Sequence, residues 1–194
     1  MGKVYVEGLG AFTYNAYDTS RNLFDGSVAS GDFNGQQYSA KGTAGYKLDV
    51  QGGLKVIPFV SAQYTFLTQD DYTETGSNAN LTVNSDDINI FKTGLGTKLA
   101  YPITEGGVTY TPRLSAAWYY DLVGDEASTT SNFSSAAATT FASKGADIAQ
   151  SEFKLGAGLD VLAQDNVTVS LDYSWNTKQD FDAHTGELKA RFEF

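Results

Sequence analysis

Between Gln37 and Val50 the chain alternates without interruption: Tyr38, Ala40, Gly42, Ala44, Tyr46, Leu48 and Val50 are apolar or small, and Gln37, Ser39, Lys41, Thr43, Gly45, Lys47 and Asp49 lie between them. A period of two is that of a β-strand with one apolar and one polar face. The same pattern returns over Val4–Tyr17, Leu54–Leu67, Ile88–Tyr101 and Val108–Leu122, and again over Phe153–Val161, Val167–Trp175 and Leu188–Phe194. Eight long amphipathic strands are expected, and no helical period competes with them.

The connections alternate in length. Gln51–Gly53, Pro102–Gly107 and Gln164–Asn166 read as short turns, because Gly, Asn and Asp tolerate tight backbone geometry. Between them lie long polar segments, Asp18–Gln36, Thr68–Asp87, Val123–Ser151 and Asn176–Thr185, the third of low complexity and expected to be mobile. Short turns at one end and long loops at the other describe an up-and-down meander. The fold class expected is all-β, a transmembrane antiparallel β-barrel of eight strands, with residues 1–194 forming a single domain.

The two faces differ in a way that a β-sandwich does not require. By parity the polar face holds Lys41, Lys47, Lys55, Lys92, Lys98, Arg113, Lys154, Lys189 and Arg191 beside Glu7, Asp49, Asp121, Glu152, Asp160, Asp172, Glu187 and Glu193. These charges nearly balance, which an enclosed lumen needs because buried ions are tolerated when paired. The set Lys41, Lys47, Lys92, Lys98, Arg113, Asp121, Glu152, Lys154, Asp160, Asp172 and Arg191 is the expected lumen charge network. The opposite face carries no charge, and its aromatics gather toward strand ends: Tyr14, Tyr38, Tyr64, Trp118, Tyr120 and Trp175 near the long loops, Tyr46 and Tyr101 near the short turns. Tyr and Trp suit a membrane interface, where the ring is in hydrocarbon and its polar tip meets water.

Composition removes several other functions. A net charge of −10 argues against nucleic acid as a partner, and the absence of cysteine excludes disulfides and thiolate metal sites. No run of about 18 apolar residues exists to make a transmembrane helix. His184 is the only histidine. Asp182, His184 and Thr185 sit at an expected loop rim, where a solvated reading outweighs a catalytic one, so no catalytic residue is assigned. Asp70–Asp71 and Asp86–Asp87 lack the ligand spacing of a calcium loop, so no metal or cofactor is expected.

Six stretches carry a family resemblance: Tyr14–Arg21, Ala29–Gln37, Ile57–Val60, Asp71–Gly76, Gly156–Leu159 and the ending Leu188–Phe194. In order and spacing the chain resembles the C-terminal translocator, or β-domain, of autotransporters, the type V secretion proteins. The resemblance implies an integral barrel in the bacterial outer membrane that anchors, and in its full-length parent exports, a passenger domain. It also implies lipid or detergent and the barrel-assembly machinery as partners, with the alternating Leu188, Ala190, Phe192 and Phe194 as the assembly signal. The family's barrel has about twelve strands with a helix in its lumen, so this chain reads as a truncated or minimal derivative, without a signal peptide ahead of Met1-Gly2. The rival readings are a self-contained small structural or adhesive barrel and, less favoured, a lipid-modifying enzyme. The expected state is a monomer with both termini periplasmic, closed by pairing Val4–Tyr17 with Gly186–Phe194, since an unpaired edge in hydrocarbon leaves backbone groups unsatisfied.

Overall fold

The computed structural model describes residues 3–136, 138–145, 149–163 and 167–192. Eight long strands follow one another in a single antiparallel path: β1 (Lys3–Asn22), β2 (Val28–Asp49), β3 (Lys55–Gln69), β6 (Ile88–Ala100), β8 (Val108–Asp121), β11 (Ser151–Ala163), β12 (Val167–Lys178) and β13 (Phe181–Phe192). A short β7 (Ile103–Glu105) adds to β8. Each long strand pairs with its neighbours along this meander, and the sheet curls strongly into a half-barrel. Curvature brings side chains together that a flat sheet keeps apart. Lys41 Nζ on β2 stands 5.7 Å from the ring centre of Tyr119 on β8, although β3 and β6 lie between those strands.

The short connections behave as their residues dictate. Gly106 and Gly107, at φ 59° and 81°, turn the chain between β7 and β8 in the left-handed region that glycine enters without strain. The long connections depart from the expected loops in two ways. The β1–β2 hairpin runs on as paired strand through Asn22↔Val28, so most of Asp18–Gln36 is ladder rather than loop. Likewise β12 and β13 continue to Lys178↔Phe181, which shrinks Asn176–Thr185 to a tight turn with Asp180 at φ 57°. In both places the backbone hydrogen bonds of the hairpin extend the strands although side-chain alternation has weakened.

The two longest connections contribute a second, smaller sheet. Here β4 (Tyr72–Thr73) pairs with β5 (Leu81–Ser85), β5 with β9 (Ser128–Phe133), and β9 with β10 (Thr140–Lys144). A bridge from Ser30 to Thr75 ties this loop sheet to the upper part of β2. The segment Val123–Ser151, expected to be mobile, therefore supplies two ordered strands.

Closure is the other correction. Among the described residues β1 pairs only with β2 and β13 only with β12, so the expected pairing of Val4–Tyr17 with Gly186–Phe194 is not formed. Eight strands close only at a tight radius, at which side chains fill the interior. The rings of Tyr5, Phe59 and Tyr119 already crowd the concave side against Gly45, Gly96 and Gly94, and a wider curvature accommodates them. The Gln164–Asn166 turn and Phe194 fall outside the described residues.

Candidate functional site: the two faces of the curled sheet

The apolar residues read from the sequence stand on the convex face and are exposed. Val4, Val6 and Leu188 are 72%, 76% and 73% accessible, and Phe12, Val60, Leu95, Leu114, Phe153, Leu171 and Phe192 are exposed with them. Burial in a protein core does not account for such a surface: a contiguous apolar face of this extent is matched by lipid. Leu188 and Phe192 of the proposed assembly signal lie exposed on this face, and Ala190 pairs with Val169.

Toward the long-loop end of the same face, ring tips are tied to polar side chains. Tyr38 Oη donates to Gln36 Oε1 at 2.8 Å, Tyr64 Oη to Asn89 Oδ1 at 2.6 Å and Tyr120 Oη to Gln150 Oε1 at 3.1 Å. Trp118 Nε1 donates to Ser151 Oγ at 2.8 Å and Trp175 Nε1 to Asp182 Oδ1 at 3.0 Å. Tyr14, and at the turn end Tyr46 and Tyr101, are exposed on the convex side as well. His184 belongs to this belt: its Nδ1 lies 2.7 Å from Tyr173 Oη, and its ring stacks at 6° to Trp175. Asp182, across the ladder from Thr177, is hydrogen bonded to Trp175.

The concave face carries the charges. Arg113 Nη2 contacts Asp160 Oδ1 at 2.7 Å and Asp172 Oδ1 at 2.9 Å, bridging β8, β11 and β12. Lys92 Nζ meets Glu152 Oε2 at 2.7 Å across the intervening β8. Three other lysines stand over aromatic rings instead: Lys41 over Tyr119, Lys47 over Tyr5 at 5.4 Å and Lys98 over Phe59 at 5.4 Å. Lys98, Arg113, Lys154, Asp172 and Lys189 line a cavity of about 450 Å³ within the curl. Arg191 pairs in register with Thr168 on β12.

Asp121 behaves unlike the other members of the expected network. It is fully buried, and its Oδ1 accepts the backbone N–H of Phe91, Val123 and Gly124 at 3.2 to 3.3 Å. Although Lys92 is its cross-strand partner, the lysine goes to Glu152. The carboxylate thus fastens the departure of the long loop from β8.

Tyr5, Phe59 and Tyr119 were not singled out from the sequence, yet they organise this face. Each lies opposite a glycine in register, Tyr5↔Gly45, Phe59↔Gly96 and Gly94↔Tyr119, and the ring covers the place a Cβ would occupy. An aromatic over a cross-strand glycine supplies the packing that glycine lacks. A signal was present: each ring has the parity of the polar face, opposite a neighbouring strand that offers an inward glycine.

Beyond the wall, Arg21 donates to both carboxylate oxygens of Glu74, at 3.2 and 2.5 Å, and to the Ala79 carbonyl at 2.8 Å. The Arg21 guanidinium, with the Leu81 amide, holds the Glu74 carboxyl below its ordinary value against the opposing effect of burial. Tyr17, Phe33 and Tyr72 stack in series at 4.9 and 4.7 Å, joining the hairpin to the loop sheet. Asp71 Oδ1 accepts the Ser85 amide and Asp70 Oδ2 the Asn34 side chain. Among the described residues no group of three or more His, Cys, Asp or Glu converges as metal ligands would.

A curled antiparallel wall, apolar outside and charged inside, defines the class as a membrane β-barrel wall. The sequence model of the family described as autotransporter beta-domain matches residues 1–174, and the chain belongs to that family. It is a non-enzymatic translocator β-domain of the bacterial outer membrane, and membership implies a passenger domain in the parent protein. A search of curated proteins finds no match. Among solved structures, the transport unit of the autotransporter AIDA-I from Escherichia coli is 11% identical, covers 100% of this chain and 86% of its own, and superposes with a TM-score of 0.29. The beta domain of the Bordetella autotransporter BrkA is 11% identical, covering 100% of this chain and 99% of its own, with a TM-score of 0.23. At those scores neither superposition carries an argument; membership rests on the family match.

Proposed function

We propose that the concave face is the wall of the export lumen, that both ends of the chain lie on the periplasmic side, and that the long-loop end with its small sheet faces the exterior. The observation that carries this reading is the separation of the faces: the exposed apolar side chains of all eight long strands are convex and the ion pairs are concave. A polypeptide crossing the membrane needs a polar, charged surface beside it, since its backbone groups cannot be left unsatisfied in hydrocarbon. Arg113, Lys92, Lys154, Lys98, Lys41, Lys47, Asp160, Asp172 and Glu152 form that surface. Leu188, Ala190 and Phe192, with Phe194 beyond them, are the strand end that the assembly machinery reads. Passenger, lipid and assembly machinery are its partners, and no nucleic acid or cofactor is involved.

Single cysteines serve as the test, since the chain has none of its own. In intact cells a membrane-impermeant maleimide is expected to label Ser77→Cys on the loop sheet side and to spare Glu105→Cys in the turn between β7 and β8. The reverse pattern refutes the orientation. Flotation of the folded chain with phospholipid vesicles tests the membrane reading itself; a monodisperse folded sample in plain buffer refutes it.

A further inference from the structure

We propose that the outer rim of β8, β11 and β12 holds a binding groove for the saccharide headgroup of an outer-leaflet glycolipid. The proposal rests on the orientation given above, because it needs this rim at the outer leaflet. A groove of about 560 Å³ opens there, lined among others by Tyr120, Gln150, Phe153, Thr177, Lys178 and Gln179. Its floor is aromatic. Phe153 is 54% accessible, and Tyr120, whose hydroxyl is engaged by Gln150, leaves its ring to the groove. Its walls are amides and hydroxyls, from Gln150, Ser151, Thr177 and Gln179.

Aromatic faces with neutral amide and hydroxyl groups around them are the surface that sugar rings fit, apolar C–H faces on the rings and hydroxyls to the side chains. The lining cation, Lys178, has its Nζ over the Phe181 ring at 5.0 Å.

Position commits the ligand to a lipid anchor. Directly below the groove the convex face continues as exposed Leu155, Leu159 and Leu171, which match acyl chains, while Trp118 and Trp175 stand beside Phe153 and Leu155 in the ladders. A glycolipid whose sugar enters the groove lays its chains along that band. A free saccharide gains only the upper half of the contact.

The test uses the folded full chain in phosphatidylcholine bicelles, titrated with rough lipopolysaccharide, with emission of the two tryptophans as the readout. A saturable change is expected with the glycolipid. Gln179→Ala, and Phe153→Leu, which keeps the convex band apolar, are each expected to weaken it about fivefold, the scale of one lost hydrogen bond or ring contact. Lipopolysaccharide titrations with unaltered affinity in both variants overturn the proposal. So does an equal change on adding phosphatidylcholine alone, and equal binding of the released oligosaccharide overturns the lipid-anchored ligand. Flotation of the same variants in phosphatidylcholine vesicles reads insertion separately, so a failure of the membrane reading is told apart from a failure of the groove.

Discussion

Within the concave face, Lys41, Lys47 and Lys98 rest over the rings of Tyr119, Tyr5 and Phe59, whereas Arg113 and Lys92 are held by Asp160, Asp172 and Glu152. Both arrangements keep a cation on a concave wall, but they differ in what removal exposes. A lysine over a ring leaves behind an apolar group that tolerates its absence. An arginine between two carboxylates leaves behind two like charges in a confined site. The carboxylate-held cations are therefore the brittle set and the ring-held ones the forgiving set.

Arg113→Ala is the sharpest way to break the comparison. The guanidinium is 35% and the two aspartates 29% accessible, so solvent screens part of the pair energy. A loss of about 1–3 kcal/mol is expected, below the cost of breaking a fully buried pair. Urea unfolding in detergent checks it, and Arg113→Ala/Asp160→Asn/Asp172→Asn is expected to recover much of the loss. A midpoint unchanged by Arg113→Ala means that water enters the curl and replaces the arginine.

The glycines under the rings give the second test. An added Cβ at Gly94 runs into the Tyr119 ring and the Ser61 side chain, whereas one at Gly42 meets nothing within 4 Å. Gly94→Ala is expected to cost about 1–2 kcal/mol through overpacking, and Gly42→Ala less than about 0.5 kcal/mol. Equal unfolding midpoints for the two variants remove the rings' claim to set the curvature.

Acid is expected to loosen the loop sheet through Glu74. The folded-state pKa of Glu74 is depressed, chiefly by its hydrogen bonds from Arg21. Its contribution is therefore complete above the ordinary carboxylate value and is lost as pH falls through the lower folded value. Hydrogen exchange of β4 and β5 amides is expected to rise in that window in the parent and to be high throughout in Glu74→Gln, an effect of about 1 kcal/mol. Protection that stays level through the acid window shows that the aromatic stack of Tyr17, Phe33 and Tyr72 holds the sheet without the ion pair.

How far the sequence disclosed this arrangement depends on what each region faces. The wall was legible because lipid imposes a uniform demand: Val60, Leu95, Leu114 and Leu171 had to alternate with polar residues, and parity alone located Arg113, Asp160 and Asp172 on one face. The loop sheet was not. Its strands are short and mostly Ser, Thr and Asn, as in Ser128–Phe133, and single buried positions such as Val83 and Ser131 impose no period. Leu81 and Val83 alternate with Thr82 and Asn84, but two positions are too few to separate a strand from a loop. Asp121 has the parity of the charge network, yet its partners are backbone amides of its own loop and of Phe91 on β6, which composition does not reveal. Closure failed for a different reason: strand count specifies that a ring can form, while curvature comes from which ring sits on which glycine across strands far apart in sequence.

The smallest expected effect is at Lys98. Its ammonium lies over Phe59 at the edge of the cavity that also holds Lys154 and Lys189, so its removal takes away one cation–π contact and also some repulsion between lysines. A cation–π contact of this exposure is worth about 0.5–1 kcal/mol. Lys98→Met keeps most of the stem that covers the ring and drops only the charge, so a net change below about 0.5 kcal/mol is expected, since the two effects oppose each other. The neighbouring Lys92→Met, which strands Glu152, is the control and is expected to be the more destabilising of the two. If the two variants unfold at the same urea concentration, the ring-held and carboxylate-held cations are equivalent, and the division of the concave cations into a forgiving and a brittle set has no energetic content.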